Sequence, residues 1–268
     1  MTSPALPASP AGSDSSTREI AAYDDLRYRD VFWAARVYED SCDRIALRAL
    51  LPPTGGRLIE VGAGFGRLAN EYAGYGEVVL LDSSEVHVAA ARETLAGDDR
   101  FSVVLGDAYA LPFPDGHFDA AVCVRVLHHF EDPGPALAEI GRVVRPGGVL
   151  VLEFANKRNL KAIARYSLRR QAWSPFEPGP VAYKALHFDH APVSVRRWLR
   201  GAGFSVVRLR AASLLRIPGL SRRLPVTALS WLEARLQAPL GAVTPGPSVF
   251  VLARRSGESA KRTDSDAG

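Results

Sequence analysis

A chain of 268 residues with 47% hydrophobic and 23% charged residues can bury a sizeable core, and its length suits one α/β domain with appendages rather than two full domains. The formal net charge of +4 hides an asymmetry: residues 1–152 carry 13 Lys and Arg against 22 Asp and Glu, a balance of −9, whereas 153–268 carry 20 against 7, a balance of +13. No basic residue precedes Arg18 and no apolar run approaches about eighteen residues, so neither a secretory leader nor a membrane span is indicated and a cytoplasmic protein is expected.

Residues 1–17 are rich in Pro, Ser and Ala without periodicity and read as a disordered tail. Ser16-Thr17-Arg18-Glu19 has the form of a capping box, which opens an aromatic helical cap over residues 18–53 containing Tyr23, Tyr28, Phe32, Trp33 and Tyr38. Pro52-Pro53-Thr54-Gly55-Gly56 stops it. Strands then alternate with helices: strand 57–61, helix 65–75, strand 77–81, helix 84–96, strands 101–105 and 118–124, helix 133–144 and strand 148–154. The strands are continuous apolar runs, as expected where helices cover both faces of a parallel sheet.

The last third departs from this alternation. A basic helix is predicted over 159–171, a proline-rich loop over 173–180, a helix over 193–202, a strand over 204–209, a helix over 226–237 and a last strand over 248–253. The segments 156–202 and 212–247 are insertions expected over the carboxyl ends of the strands, where open α/β sheets bind ligands. Ser256 to Gly268 reads as a second disordered tail, and Cys42 and Cys123 read as small core residues.

Chemistry concentrates at Leu58-Ile-Glu-Val-Gly-Ala-Gly-Phe-Gly66, an apolar strand running into a glycine turn. Gly62 and Gly64 allow a tight turn and let a ligand lie against bare backbone. Asp82 ends the next strand twenty residues after Gly62, where its carboxylate can accept from both hydroxyls of a ribose. A pyrophosphate loop would place a third glycine where Arg67 stands. Glu60 adds a negative charge that suits an ammonium or sulfonium better than a phosphate.

Three further segments complete a pattern: Asp82 itself, the run Gly106-Asp-Ala-Tyr-Ala-Leu-Pro-Phe-Pro-Asp-Gly-His-Phe-Asp119, and Arg142-Val-Val-Arg-Pro-Gly-Gly-Val-Leu150. With the glycine turn they resemble the class I S-adenosylmethionine-dependent methyltransferases of the small-molecule branch, which includes the ubiquinone and menaquinone C-methyltransferases. The resemblance implies a Rossmann-like, seven-stranded, doubly wound sheet, mostly parallel with an antiparallel last strand, and S-adenosyl-L-methionine as cofactor. It implies the methionine moiety near Glu60, Gly62, Ala63 and Gly64, the ribose on Asp82 beside Ser83, adenine on Asp107 and Ala108, and Arg125 toward the amino-acid end.

Displacement at a sulfonium needs positioning above all, and a base only where the acceptor must lose a proton. His129 and the pair His187 and His190 are the general-base candidates, because His128-His129 follow the fourth strand and His187-Phe188-Asp189-His190 sets imidazoles beside a carboxylate. No metal is expected there, since further ligands of evident spacing are missing. His87 and His117 read as inert surface residues. Tyr23, Tyr28 or Trp33 is expected to help close the site. The acceptor is expected to be a small aromatic or apolar molecule, with no nucleic-acid partner. Three alternatives stand beside this reading: an RNA methyltransferase using the basic half, a non-catalytic cofactor-binding protein, and an oxidoreductase. Peripheral membrane contact through 159–171 and 220–237 would follow from a lipid acceptor. Oligomeric state leaves no signal in the sequence.

Overall fold

The computed structural model describes residues 32–184, 187–217, 220 and 224–257. The capping box at 16–19, Tyr23, Tyr28 and the tail 1–17 lie outside them. Nine strands run in chain order: β1 Gly55–Val61, β2 Tyr75–Asp82, β3 Phe101–Leu105, β4 Phe118–Cys123, β5 Val144–Ala155, β6 Val181–Lys184, β7 His187–Asp189, β8 Phe204–Ala212 and β9 Ser248–Arg255. The α-helices are α1 Val37–Leu50, α2 Glu85–Thr94, α3 Gly134–Val143, α4 Leu160–Ser167, α5 Pro192–Gly201 and α6 Val226–Leu236.

Seven strands form one sheet in the order β3-β2-β1-β4-β5-β9-β8. β1 pairs parallel with β2 and β4, β2 with β3, and β4 with β5. The last strand, β9, enters between β5 and β8 and is antiparallel to both. Successive side chains of a strand leave on opposite faces, and this divides the core. Ile59, Leu81, Leu152 and Val251 join α3 and α5 on one side, while their neighbours Leu58, Leu80, Val151 and Phe250 pack with Leu47 of α1 on the other. Cys42 and Cys123 are buried free thiols, as their apolar neighbours imply. Among the described residues no helix is long and apolar enough to cross a membrane.

Local chemistry sets several boundaries. The Ser84 hydroxyl accepts from the His87 N–H to cap α2, and the Asn159 amide oxygen accepts from the Ala162 N–H to cap α4. α4 stops at Ser167, short of the predicted 171, with Arg169 at φ 54°. Ser256, expected to start the second tail, donates its N–H to Gly203 O.

Two differences matter for the site. The helix predicted at 65–75 is a series of turns with one 3₁₀ segment, Ala69–Tyr72. Gly66 stands at φ 81°, outside the helical region, so an α-helix cannot run through it. Arg44 and Arg48 of α1 hold the segment instead, binding Glu71, while Arg44 also donates to Arg67 O. The second difference is a two-stranded antiparallel pair, β6 with β7, directly after the predicted proline-rich loop 173–180 and inside the insertion 156–202.

α1 is tied to the sheet by charge. Asp43, fully buried, accepts from Arg125 Nε at 3.1 Å and Nη2 at 2.7 Å, and from Arg67 Nη2 at 3.0 Å. Arg67 also pairs with Asp40. Removing one partner of a buried pair strands the other charge. Asp43→Ala is therefore expected to lower stability by about 3–5 kcal/mol; urea unfolding that showed a loss below about 1 kcal/mol would refute the assignment of this carboxylate as the tie.

Candidate functional site

The chain leaves β1 toward β2 on one side and leaves β4 toward β5 on the other, so a crevice opens between the carboxyl ends of β1 and β4, the topological switch point of the sheet. The glycine turn lies there. Gly62 and Gly64 adopt φ of 74° and 56°, and both lie in the left-handed region that a side chain disfavours. A Cβ on Gly62 would collide with Val126, whereas a Cβ on Gly64 would project into open space, 4.0 Å from His87 Nδ1. Bare backbone therefore faces the crevice at Gly64.

Asp82 is pre-positioned by the turn. Its Oδ2 accepts from Gly64 N at 2.7 Å and its Oδ1 from Ser84 N at 3.0 Å, so each oxygen keeps a lone pair for a further donor. Asp107, at the tip of β3, accepts from its own Tyr109 N–H at 2.9 Å in a turn that leaves the residue exposed toward the cleft. The cleft, about 130 Å³, is lined by Gly62, Gly64, Asp82, Ser83, Asp107, Ala108, Arg125 and His129. His87, expected on a surface helix, is buried there instead, with Nδ1 3.9 Å from Asp82 Oδ1. α2 turns this residue inward because it begins directly after the Asp82 strand tip.

A smaller recess at the glycine turn is lined by Glu60, Ala63, Arg125, Trp33 and Arg67. The Arg67 guanidinium lies 3.7 Å from the Trp33 ring centroid. Glu60 is 2% exposed, and its Oε2 meets no donor. The Tyr72 hydroxyl lies alongside without an aligned hydrogen bond. Burial pushes the Glu60 carboxyl up to about 8, the nearby Tyr72 and Arg67 opposing that rise. Among the described residues this acid forms no ion pair, and the α-ammonium of S-adenosylmethionine is a cation that would complete one. The residues present fit the cofactor: a bare-backbone turn, a ribose-length acid at Asp82, and an unpartnered carboxylate where the amino-acid end belongs. All nine residues predicted for cofactor binding line the cleft or the recess, and Gly62, Gly64 and Arg125 line both.

The histidines divide. His129 lines the cleft, and His187 from the hairpin packs against it and against His128, with ring centroids 5.0 Å and 4.9 Å apart. Burial chiefly, then the neighbouring imidazoles, holds His128 well below its ordinary pKa. The ligand nitrogens of the three lie within 4.8 Å of one another, against about 3.3 Å between tetrahedral zinc ligands. His190 stands apart from this group in role. It is fully buried, its Nε2 lies 3.1 Å from Leu127 O, its ring packs edge-on to Trp198, and burial lowers its pKa. Its backbone links to Ala155 O and Lys157 N, which seats the hairpin on the end of β5.

Beyond Arg125 lies a third space, a cavity of about 320 Å³ that no sequence motif announced. Asn159, Lys161 and Arg165 of the α4 region line one wall, Tyr183 and Asp189 of the hairpin another, and Ser213 and Arg216 a third. Burial raises the Asp189 carboxyl to about 6, with Arg216 and Arg165 opposing. Arg125 borders all three spaces. It sits at φ 63°, a conformation costly for arginine, and is held there by Asp43 and by Glu153, whose Oε2 accepts the Arg125 N–H at 3.0 Å. Asp189 could have been suspected from its place between two histidines; Lys161, Arg165, Ser213 and Arg216 could not, because they come from separate segments that only the fold brings together.

Residues 59–152 match the family model described as a methyltransferase domain. The demethylmenaquinone methyltransferase of Clavibacter sepedonicus is 33% identical over 186 residues, covering 65% of this chain and 76% of that protein. The ubiquinone/menaquinone biosynthesis C-methyltransferase of Roseobacter denitrificans is 31% identical over 181 residues, covering 62% and 72%. Among solved structures, an S-adenosylmethionine-dependent methyltransferase from Mesorhizobium loti superposes with a TM-score of 0.56 at 24% identity, covering 78% of this chain and 96% of that one. The chain belongs to the class I S-adenosylmethionine-dependent methyltransferases.

Proposed function

We propose that the chain transfers the methyl group of S-adenosylmethionine to a small-molecule acceptor seated in the cavity beyond Arg125. The observation that carries this reading is the place of Arg125 itself, on the border of the cofactor cleft, the recess at the glycine turn and the third cavity. The cofactor supplies an activated methyl on a sulfonium. The protein's part is to bind, orient and exclude water, and proximity of this kind is worth several kcal/mol of a barrier.

In this reading Asp82 holds the ribose, Asp107 and Ala108 the adenine, and Glu60 the ammonium. Ser83 and the backbone of Gly62 to Gly64 complete the cradle. Where the acceptor must lose a proton, His129 at the cleft and His187 beside it are the bases, while the buried His190 serves to seat the hairpin. The cavity is lined by charged and polar groups, which favours a polar acceptor over the apolar one expected from the sequence. Its size favours a small molecule over RNA. Trp33 lines the recess together with Glu60, in keeping with a role in closing the site.

Incubating cell extract with S-adenosylmethionine carrying a labelled methyl, then separating small molecules from nucleic acid, tests the acceptor class; label confined to RNA would overturn it. Asp82→Ala is expected to weaken cofactor binding by about 1–3 kcal/mol, the scale of lost charged hydrogen bonds. An unchanged dissociation constant by calorimetry would remove the ribose assignment.

Glu60 makes a pH prediction. Its folded pKa, about 8, lies above the ordinary carboxyl value of 4.5, so the folded state holds this proton more tightly than the unfolded chain. Its contribution to stability is full below about 4.5 and is lost as pH rises through about 8. The cofactor-free protein should therefore lose stability over that window, and Glu60→Gln should flatten this slope. Cofactor affinity should rise over the same window in the wild type, as the carboxylate forms, and not in the variant. Parallel affinity profiles for the two proteins would contradict the ammonium assignment.

A further inference from the structure

The basic surplus of the C-terminal half is partly gathered in the third cavity. Lys161 and Arg165 stand four residues apart on α4 and both line it. Like charges at that spacing repel across one helix face. Among the described residues neither forms a close ion pair, although Arg165 acts on the charge of Asp189: Lys161 Nζ donates to Arg216 O at 2.5 Å, and Arg165 Nε to Gln171 Oε1 at 3.2 Å, both neutral oxygens. Arg216 reaches Glu39 only at 3.7 Å. Arg125 is the exception, its guanidinium already bound to Asp43.

A second observation comes from the lining of the same cavity. Ser213 is 1% exposed, yet its Oγ finds no hydrogen-bond partner, and its backbone sits at φ 58°. A buried hydroxyl left unpaired is costly, and a non-glycine residue in the left-handed region adds strain. The segment brings an unused hydroxyl into the lining of a cavity where basic side chains outnumber acidic ones. Asp189 is the one carboxylate lining the cavity, against four basic residues, and it lies on the hairpin wall with Tyr183.

We propose that this cavity receives an oxyanion, a carboxylate or phosphate borne by the methyl acceptor, with Lys161, Arg165 and Arg216 supplying charge and Ser213 a hydrogen bond. Arg125 then lies between the anionic end of the acceptor and the cofactor cleft, and the acceptor's reacting atom is held toward the cleft. This rests on the reading of that cleft as the methyl-donor site. Arginine and lysine at the rim bind the oxyanion by charge-assisted hydrogen bonds, stronger than those between neutral groups.

The experiment uses the full chain at constant ionic strength, with inorganic phosphate and succinate as probes followed by calorimetry or by chemical-shift titration. The wild type is expected to bind at least one of them, and a preference between the two tells phosphate from carboxylate. The double variant Lys161→Gln with Arg165→Gln should weaken that binding by at least tenfold, and Ser213→Ala by a smaller factor. Arg254→Gln, an exposed residue near the end of β9 outside the cavity, should leave it unchanged. S-adenosylmethionine binding, measured on every variant, should stay within twofold of the wild type, which also confirms folding; should the double variant lose it, Arg165→Lys and Ser213→Ala carry the comparison. The proposal is overturned if the wild type binds neither probe, if the cavity variants bind as the wild type does, or if Arg254→Gln loses binding equally. Failure to bind S-adenosylmethionine in the wild type would instead overturn the donor-site reading.

Discussion

The site depends on one buried carboxylate. Asp43 projects from α1 beneath the ends of β1 and β4 and takes hydrogen bonds from Arg125 and Arg67 at once. Arg67 follows the glycine turn and Arg125 follows β4, so a single anion fixes both lips of the crevice. The charge is well satisfied, with three donors, and this is the condition under which a buried ion pair holds rather than weakens a fold. It also explains why Arg125 tolerates a left-handed backbone: the side chain is clamped at one end and its N–H is bound to Glu153 at the other.

Around that anchor the protein sorts charge by solvent access. Glu60 and Glu153, both buried, are pushed upward chiefly by desolvation, yet they face opposite demands. Glu153 is satisfied by Ser248 and the Arg125 N–H and completes the scaffold. Glu60 has an oxygen without a donor, directly beneath a turn whose backbone is left bare. One carboxylate is used for structure, the other is left for a ligand. The same contrast separates Arg125, bound to the Asp43 carboxylate, from Lys161 and Arg165, whose hydrogen bonds go to neutral oxygens.

The hairpin β6–β7 links the two halves of the site. Its seat is the buried His190, bound through its backbone to both Ala155 and Lys157, so the short strand docks on the end of β5. That docking brings His187 against His128 and His129 and places Asp189 in the lining of the third cavity. The spacing that looked like an imidazole–carboxylate pair in sequence is thereby divided between two spaces.

The order of strands, the glycine turn and the acids at Asp82 and Asp107 were legible in the sequence because each is a local signal. An apolar run, a residue without a Cβ and a carboxylate at a strand tip act where they stand, and parallel strand–helix alternation leaves few ways to assemble them. The 3₁₀ segment after the turn escaped because arginines from α1, far away in sequence, hold it. The docked hairpin and the convergence of Lys161, Arg165, Ser213 and Arg216 were likewise decided by tertiary structure alone. Each depends on segments tens of residues apart meeting at the carboxyl edge of the sheet, and no periodicity within a segment records which distant partner it will meet.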